Sequence, residues 1–276
     1  MALQRANQRA CARLLALDLD GTLLRRDGSI SASTLCALRA AQSRGLDLLF
    51  VTARPPRRVR AVSGVTDLCS VAICGDGSLL YDLKSDALLA EERLRSDHAA
   101  LLVESLRTAI PEVAFAVEVG LRYGCDPHYA ISHEHGRDRS DPLMRRADAV
   151  ELCREGVTKL TVQQLDWPLP DLMEMTRVFA SSRARVSQSR AQFVEVVAPG
   201  VDRASALRRY CAARQIAAAE VIAFGDTPHD LPMLRWAGCG IAVANAHPEV
   251  LAAADLVTRS NDADGVALAL DRLGYT

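Results

Sequence analysis

The 276 residues are 49% hydrophobic and 24% charged, the balance of a globular chain with room for one or two domains and a sizeable core. A formal net charge of −1 provides no general field for nucleic acid or an anionic membrane, so neither is expected as a partner. No apolar run approaches the roughly 18 residues of a membrane span. The opening "MALQRANQRACAR" has no apolar stretch of the secretory kind ahead of the first strand. There are eight cysteines and no CxxC pair, and Cys36, Cys69, Cys74, Cys153, Cys211 and Cys239 sit in or beside apolar segments. Buried reduced thiols and a cytoplasmic location are expected.

Strand and helix patterns alternate through the first part of the chain. Residues 13–18 read as a buried strand, 31–44 as a helix opened by "SAST" and closed by Gly45, and 46–51 as a second strand. Residues 55–62 read as a helix with prolines at its start and 70–74 as a third strand, followed by the hairpin signal Asp76-Gly77 between "VAIC" and "SLLY". The middle differs: a helix over 96–108, the alternating "VAFAVEV", the polar loop "HEHGRDRSDP", a strand in "GVTKLTVQQ", the helix "LPDLMEMTRVFA" and a strand in "ARVSQS". Its polar alternation predicts an antiparallel sheet with one wet face. After it the first rhythm resumes. "FVEVV", "VIAF", "GIAVA" and "DLVT" read as strands, and 202–214, 230–237, "HPEVLAAA" and 263–273 as helices. The fold class expected is α/β, a Rossmann-like parallel sheet core with an inserted α+β cap domain. The core comprises residues 1–83 and 189–276, and the cap residues 84–188.

In an open parallel sheet, ligands bind outside the carboxyl ends of the strands. "LLALDLDGTLL" ends its strand in Asp18, with Asp20 two residues on and on the same side if extended geometry continues; Gly21 permits a sharp turn. Thr52 ends the second strand and Asp226 follows "VIAFG", so three strand ends deliver polar groups to one crevice. Clustered carboxylates call for a hard cation, and Asp18, Asp226 and Asp230 offer the oxygen ligands magnesium prefers. A calcium loop is excluded, because Thr22 and Leu23 stand where it needs Asp or Asn and then Gly. Neither GxxxxGK[ST] nor HExxH occurs. Taken singly, Asp20 and Asp226 also suit turns and helix caps, Thr52 an N-cap before Pro55, and Asp230 a first-turn charge.

"DLDGTLL", "VTAR", "GVDRASAL" and "AFGDTPHDLPML…GCGIAVANA" resemble, in order, the motif series of the haloacid dehalogenase-like superfamily. The nearest resemblance is to the Cof-type phosphatases, which carry a large α/β cap between the second and third motifs. The core motifs match at both ends of the chain; the cap matches in position and size. The resemblance implies Mg²⁺-dependent phosphoryl transfer from a small phosphorylated metabolite, such as a sugar phosphate or phosphorylated cofactor, through an aspartyl-phosphate. It makes Asp18 the nucleophile and Asp20 the general acid and base, with its backbone carbonyl on the metal beside Asp18, Asp226 and Asp230. Asp18 would be ionised and Asp20 protonated at the outset. Thr52 would hydrogen-bond the phosphoryl group, with Ala53 in the place of the usual Gly, and Asn245 matches a position near the phosphate while also suiting a cap for "HPEVLAAA". The cap would close over the core, exclude water and select the substrate.

Two positions depart from the pattern. Arg203 stands at the motif lysine, and the only lysines, Lys84 and Lys159, lie at the core–cap border and in a cap strand. His229 replaces the Asn of "GDxxND". At ~4 Å and an effective dielectric of about 20, a carboxylate attacking a phosphate dianion meets roughly 8 kcal/mol of repulsion, so cationic offset is essential. Arginine supplies the charge with a planar geometry lysine lacks. A phosphomutase or phosphotransferase would share every core residue, and a phosphate sensor could carry the departures without turnover. A receiver-type signalling domain is disfavoured by the insertion and by Asp20. His133 and His135 read as part of a solvated loop. Oligomeric state is not fixed by any of these features.

Overall fold

The computed structural model describes residues 12–130, 144–188 and 193–276. Short apolar runs between turn signals form the strands, as their length and flanks dictate. In chain order the first elements are β1 (Leu14–Leu17), α1 (Ala32–Ser43), β2 (Asp47–Val51), α2 (Pro56–Arg60), α3 (Val65–Leu68), β3 (Val71–Cys74), β4 (Leu79–Asp82) and β5 (Ala87–Glu91). Next come α4 (Ser96–Ala109), β6 (Ala114–Val119), β7 (Arg122–Cys125), β8 (Met144–Arg146), α5 (Ala149–Leu152), β9 (Lys159–Gln163), α6 (Leu169–Ala180), β10 (Arg185–Gln188) and β11 (Val194–Val197). The chain ends with α7 (Arg203–Ala213), β12 (Val221–Gly225), α8 (Leu231–Trp236), β13 (Cys239–Ala242), α9 (Pro248–Ala253), β14 (Leu256–Val257) and α10 (Gly265–Arg272).

Two compact units result: residues up to Leu89 together with Asp202–Thr276, and the inserted Ala90–Val201. The first unit holds an eight-stranded sheet in the order β14-β13-β12-β1-β2-β3-β4-β5, parallel from β14 to β3 and antiparallel at β3/β4. From β1 the chain builds outward through β2 and β3, then returns to build the other way from β12. The boundary between β1 and β12 is therefore the topological switch point. Every residue of β1 and β12 is buried. Leu14, Ala16, Leu49, Val51 and Ile73 pack with Ala204, Leu207 and Tyr210 of α7 and Met233 of α8.

The second unit holds a six-stranded sheet, β10-β11-β9-β6-β7-β8, antiparallel except at β7/β8. Phe115, Val117, Leu160, Val162, Val194 and Val196 pack against Leu102 and Leu106 of α4 and Leu172 of α6. Alternation then places Glu118, Lys159, Thr161, Gln163 and Glu195 on the opposite face.

"FVEVV" is the clearest departure from the sequence reading. It pairs antiparallel with β9 and β10 in the inserted sheet and does not join the parallel core. Its alternation around Glu195 suits a sheet with one polar face, and a short apolar run alone does not distinguish the two settings. The inserted unit thus extends to Val201, past the expected residue 188, and begins at Ala90, after Lys84. α3, β5, β7, β8 and α5 were not expected; all are short. Cys36 is exposed on α1, against expectation, while the other described cysteines are buried. Trp167 and Trp236 pack against the two cores, as expected. His133, His135 and the rest of "HEHGRDRSDP" lie outside the described residues. No helix among the described residues is long and apolar enough to cross a membrane.

Candidate active site

The carboxyl ends of β12, β1, β2 and β3 converge on one cluster. Asp18 continues the β1 ladder by donating its N–H to Phe224 O at 3.1 Å, and the residue is only 2% exposed. Thr52 N–H donates to Ile73 O at 2.9 Å, and Asp76 N–H donates to Thr52 O at 3.1 Å, which ties the β2 and β3 ends together. Asp226 follows β12 and accepts from Thr22 Oγ1 at 2.9 Å. Asp230 caps this turn. Its Oδ2 accepts from the N–H groups of Asp226 (3.1 Å) and Thr227 (2.9 Å) and from Thr227 Oγ1 (2.9 Å). A Cβ on Gly225 would fall 2.4 Å from Asp230 Cβ, so glycine is what lets this carboxylate close on the strand end.

Arg203 enters as the first residue of α7, where Asp202 and Ser205 form a capping box. Its Nη1 donates to Asp18 Oδ1 at 2.7 Å and to Asp230 Oδ1 at 2.6 Å, and its Nε donates to Asp76 Oδ1 at 2.8 Å. His229 Nδ1 lies 3.5 Å from Asp76 Oδ2, so the imidazole at the usual Asn position faces a carboxylate. One guanidinium thus stands among the buried carboxylates of Asp18, Asp76, Asp226 and Asp230. Burial, then Asp230, pushes the Asp18 carboxyl well above its usual range, with Arg203 pulling the other way. Burial works against the Arg203 charge as well, but Asp230, Asp18 and Asp76 outweigh it and hold that guanidinium's pKa well above its ordinary value.

Ligand atoms of Asp18, Asp226 and Asp230 all lie within 4.8 Å of one another. Hard oxygen donors, deep burial and a surplus of negative charge fit a magnesium ion. These three carboxylates are the ones that would hold it.

Asp20 is placed differently from Asp18. Its side chain is 39% exposed, and both oxygens accept from Arg54, from Nε at 2.6 Å and Nη2 at 2.5 Å. A bidentate guanidinium contact is the setting of an ionised carboxylate. The protonated Asp20 expected from sequence is not what this arrangement provides. Thr52 Oγ1 accepts from Arg54 N–H at 3.1 Å, which leaves its hydroxyl proton to donate, and Ala53 is half-buried between them. Asn245 neither caps α9, where His247 takes that place, nor keeps a free amide. Its Nδ2 donates to Gly21 O at 2.7 Å and its Oδ1 accepts from Asn261 N–H at 3.0 Å, so it braces the loop after β1.

Sequence reasoning missed Asp76, Thr22 and Arg54. Asp76 was legible only as a hairpin turn; the available signal was its position two residues past the end of a parallel strand, close to where the same rule singled out Asp18 and Asp226.

The sequence profile of the haloacid dehalogenase-like hydrolases matches residues 15–270. The chain is 29% identical to the HMP-PP phosphatase of Cronobacter sakazakii over 87% of each chain. It is 27% identical to the pyridoxal phosphate phosphatase YbhA of Escherichia coli over 92% of this chain and 96% of the relative. The fold superposes on BT1666, a phosphatase from Bacteroides thetaiotaomicron, with a TM-score of 0.82 at 21% identity over 97% of each chain. The profile match runs from β1 into α10 and so takes in every strand end that carries a site carboxylate: the chain belongs to the haloacid dehalogenase-like hydrolases.

Proposed function

We propose that the protein is a Mg²⁺-dependent phosphatase that hydrolyses a small phosphomonoester through an aspartyl-phosphate on Asp18. The observation that carries this reading is Asp18 itself, buried at the switch point and bridged to Asp230 by a single nitrogen of Arg203. In the first step an Asp18 oxygen attacks phosphorus as the bond to the ester oxygen breaks, and Asp20 delivers a proton to the departing alcohol. In the second, Asp20 takes a proton from the water that attacks the phosphoaspartate. Asp20 must first leave Arg54 and take up a proton from solvent; the proton it takes from water in the second step then restores the acid. Thr52 donates its hydroxyl proton to a phosphoryl oxygen, and Arg203 counters the charge of the incoming dianion. Magnesium held by Asp18, Asp226 and Asp230 supplies charge neutralisation at the phosphoryl oxygens.

Relatives named for HMP-PP and pyridoxal phosphate support a small phosphorylated metabolite as substrate, and buried cysteines accord with a cytoplasmic setting. Selection among such metabolites is assigned to the inserted domain. The test is a broad panel of phosphate esters with Mg²⁺, reading inorganic phosphate, run with wild type and Asp18→Asn. Release by wild type and a loss on the order of 10⁴-fold or more in the variant are expected. Turnover surviving in Asp18→Asn would sink the mechanism. An absence of phosphate release from every ester would replace it with a transferase or a phosphate sensor.

A further inference from the structure

Asp76 is the middle residue of the turn Gly75–Gly77 that leaves β3, and it is 1% exposed. Its φ of 56° and ψ of 31° lie in the left-handed region, which Asp and Asn tolerate better than other side chains. The turn is held from both sides. Asp76 N–H donates to Thr52 O at 3.1 Å, and Gly75 N–H donates to Arg54 O at 3.0 Å. A Cβ on Gly77 would lie 2.3 Å from Asp202 O, so only glycine allows the turn to press against the start of α7. The carboxylate is thereby fixed beside Arg203.

That contact decides the orientation of the guanidinium. Nη1 donates one hydrogen each to Asp18 and Asp230, which anchors one nitrogen of the planar group. The bond from Nε to Asp76 Oδ1 at 2.8 Å anchors a second nitrogen, so the fork is held at two of its three nitrogens. Nη2 donates to no carboxylate of the cluster among the described residues, so with the other two nitrogens held its N–H groups keep one orientation and remain available to an incoming anion. Asp76 also adds negative charge to a site that must admit a dianion. A residue that repels the substrate yet holds its cationic partner should act oppositely on affinity and on turnover.

We propose that Asp76 is a positioning residue that orients Arg203 for phosphoryl transfer; this rests on Arg203 acting as the cation of the proposed phosphatase. The test is steady-state kinetics with Mg²⁺ on the best ester of the panel for wild type, Asp76→Asn, Asp76→Gly, Arg203→Lys, Arg203→Met and the double variant Asp76→Gly/Arg203→Lys. Asn keeps the left-handed turn and a neutral acceptor, whereas Gly keeps the turn and removes the acceptor. Expected is a fall in kcat of about tenfold for Asp76→Asn and approaching a hundredfold for Asp76→Gly, with KM unchanged or lower. In the Arg203→Lys background, which has no planar fork to orient, Asp76→Gly should cost less than about twofold.

A second readout needs no metal or turnover. With arginine side chains labelled at Nε, the Arg203 Nε–H signal, assigned by its absence in Arg203→Lys, should exchange slowly with water in wild type and be lost in Asp76→Gly. Wild-type kcat in Asp76→Gly, an equal loss in both Arg203 backgrounds, or an unchanged Nε–H signal would each overturn the positioning role. Should Asp76→Gly fail to fold, Asp76→Asn in the two backgrounds decides in the same way. Full turnover by Arg203→Met would instead remove the reading of Arg203 itself, so the two failures are distinguishable.

Discussion

Along β1 and β12 every residue is buried, and charge begins only beyond the strand, at Asp18 and Asp226; in the inserted sheet Glu118, Lys159 and Glu195 stand inside β6, β9 and β11. A parallel sheet covered on both faces has no place for an ionised side chain except its rim. An antiparallel sheet with helices on one face leaves the other for polar groups. The consequence for charge balance is large. At the rim one guanidinium faces several carboxylates, while across β9 and β11 Lys159 Nζ meets Glu195 Oε1 at 2.9 Å with both side chains 9% exposed. The first arrangement is costly until a cation arrives; the second is compensated within the fold. Function and stability should therefore respond to substitution in different units.

Asp20→Asn presses this hardest. The amide cannot donate and recover a proton as the acid does, so turnover should fall by about 10²- to 10⁴-fold, the range for general acid–base groups. Phosphoenzyme should accumulate when the first step survives, read by trapping labelled phosphate on protein. Because Asp20 is partly exposed, the unfolding midpoint should barely move. Wild-type turnover would exclude the acid–base role.

In the inserted unit the effect should appear in stability. Removing one partner of a buried pair typically costs about 3–5 kcal/mol, so Lys159→Met or Glu195→Gln should lower the urea midpoint strongly. Replacing both should cost less than the sum of the two, since neither charge is then left alone. A neutral result for Lys159→Met would mean that the pair is not compensated as its geometry indicates.

The same contrast explains what sequence alone could show. Helices with local caps were legible nearly to the residue: Ser31 and Arg44 bound α1, and Asp202 and Arg214 bound α7. Strand ends of the parallel sheet were legible because one rule places chemistry there. β11 was misplaced because four valine- and glutamate-containing residues look alike in either sheet. Arg203 was legible from its motif, but its partner Asp76 was missed because the bond between them spans 127 residues. A strand-end position marks such a residue as a candidate, but which side chain it holds is decided by packing.

The smallest expected effect is also the most specific. Asp18 has a folded pKa well above its unfolded value, chiefly through burial and then Asp230. Below the ordinary carboxylate pKa both states carry the proton, and Asp18 contributes no pH dependence. As pH rises past that value, the unfolded chain releases the proton while the folded chain retains it, so folding becomes progressively less favourable until the folded pKa is passed. Metal-free wild type should therefore lose stability relative to Asp18→Asn as pH rises from about 4, the ordinary carboxylate pKa. The variant should unfold a few degrees higher at neutral pH, at roughly 2–4 °C per kcal/mol for a domain of this size. Thermal unfolding of both proteins in EDTA between pH 4 and 8 measures the gap, and Mg²⁺ should narrow it by stabilising wild type. A gap that stays constant with pH, or a wild type that is the more stable at pH 8, would mean that the strain of the rim cluster does not reside on Asp18, and the contrast between the two sheets would lose its energetic basis.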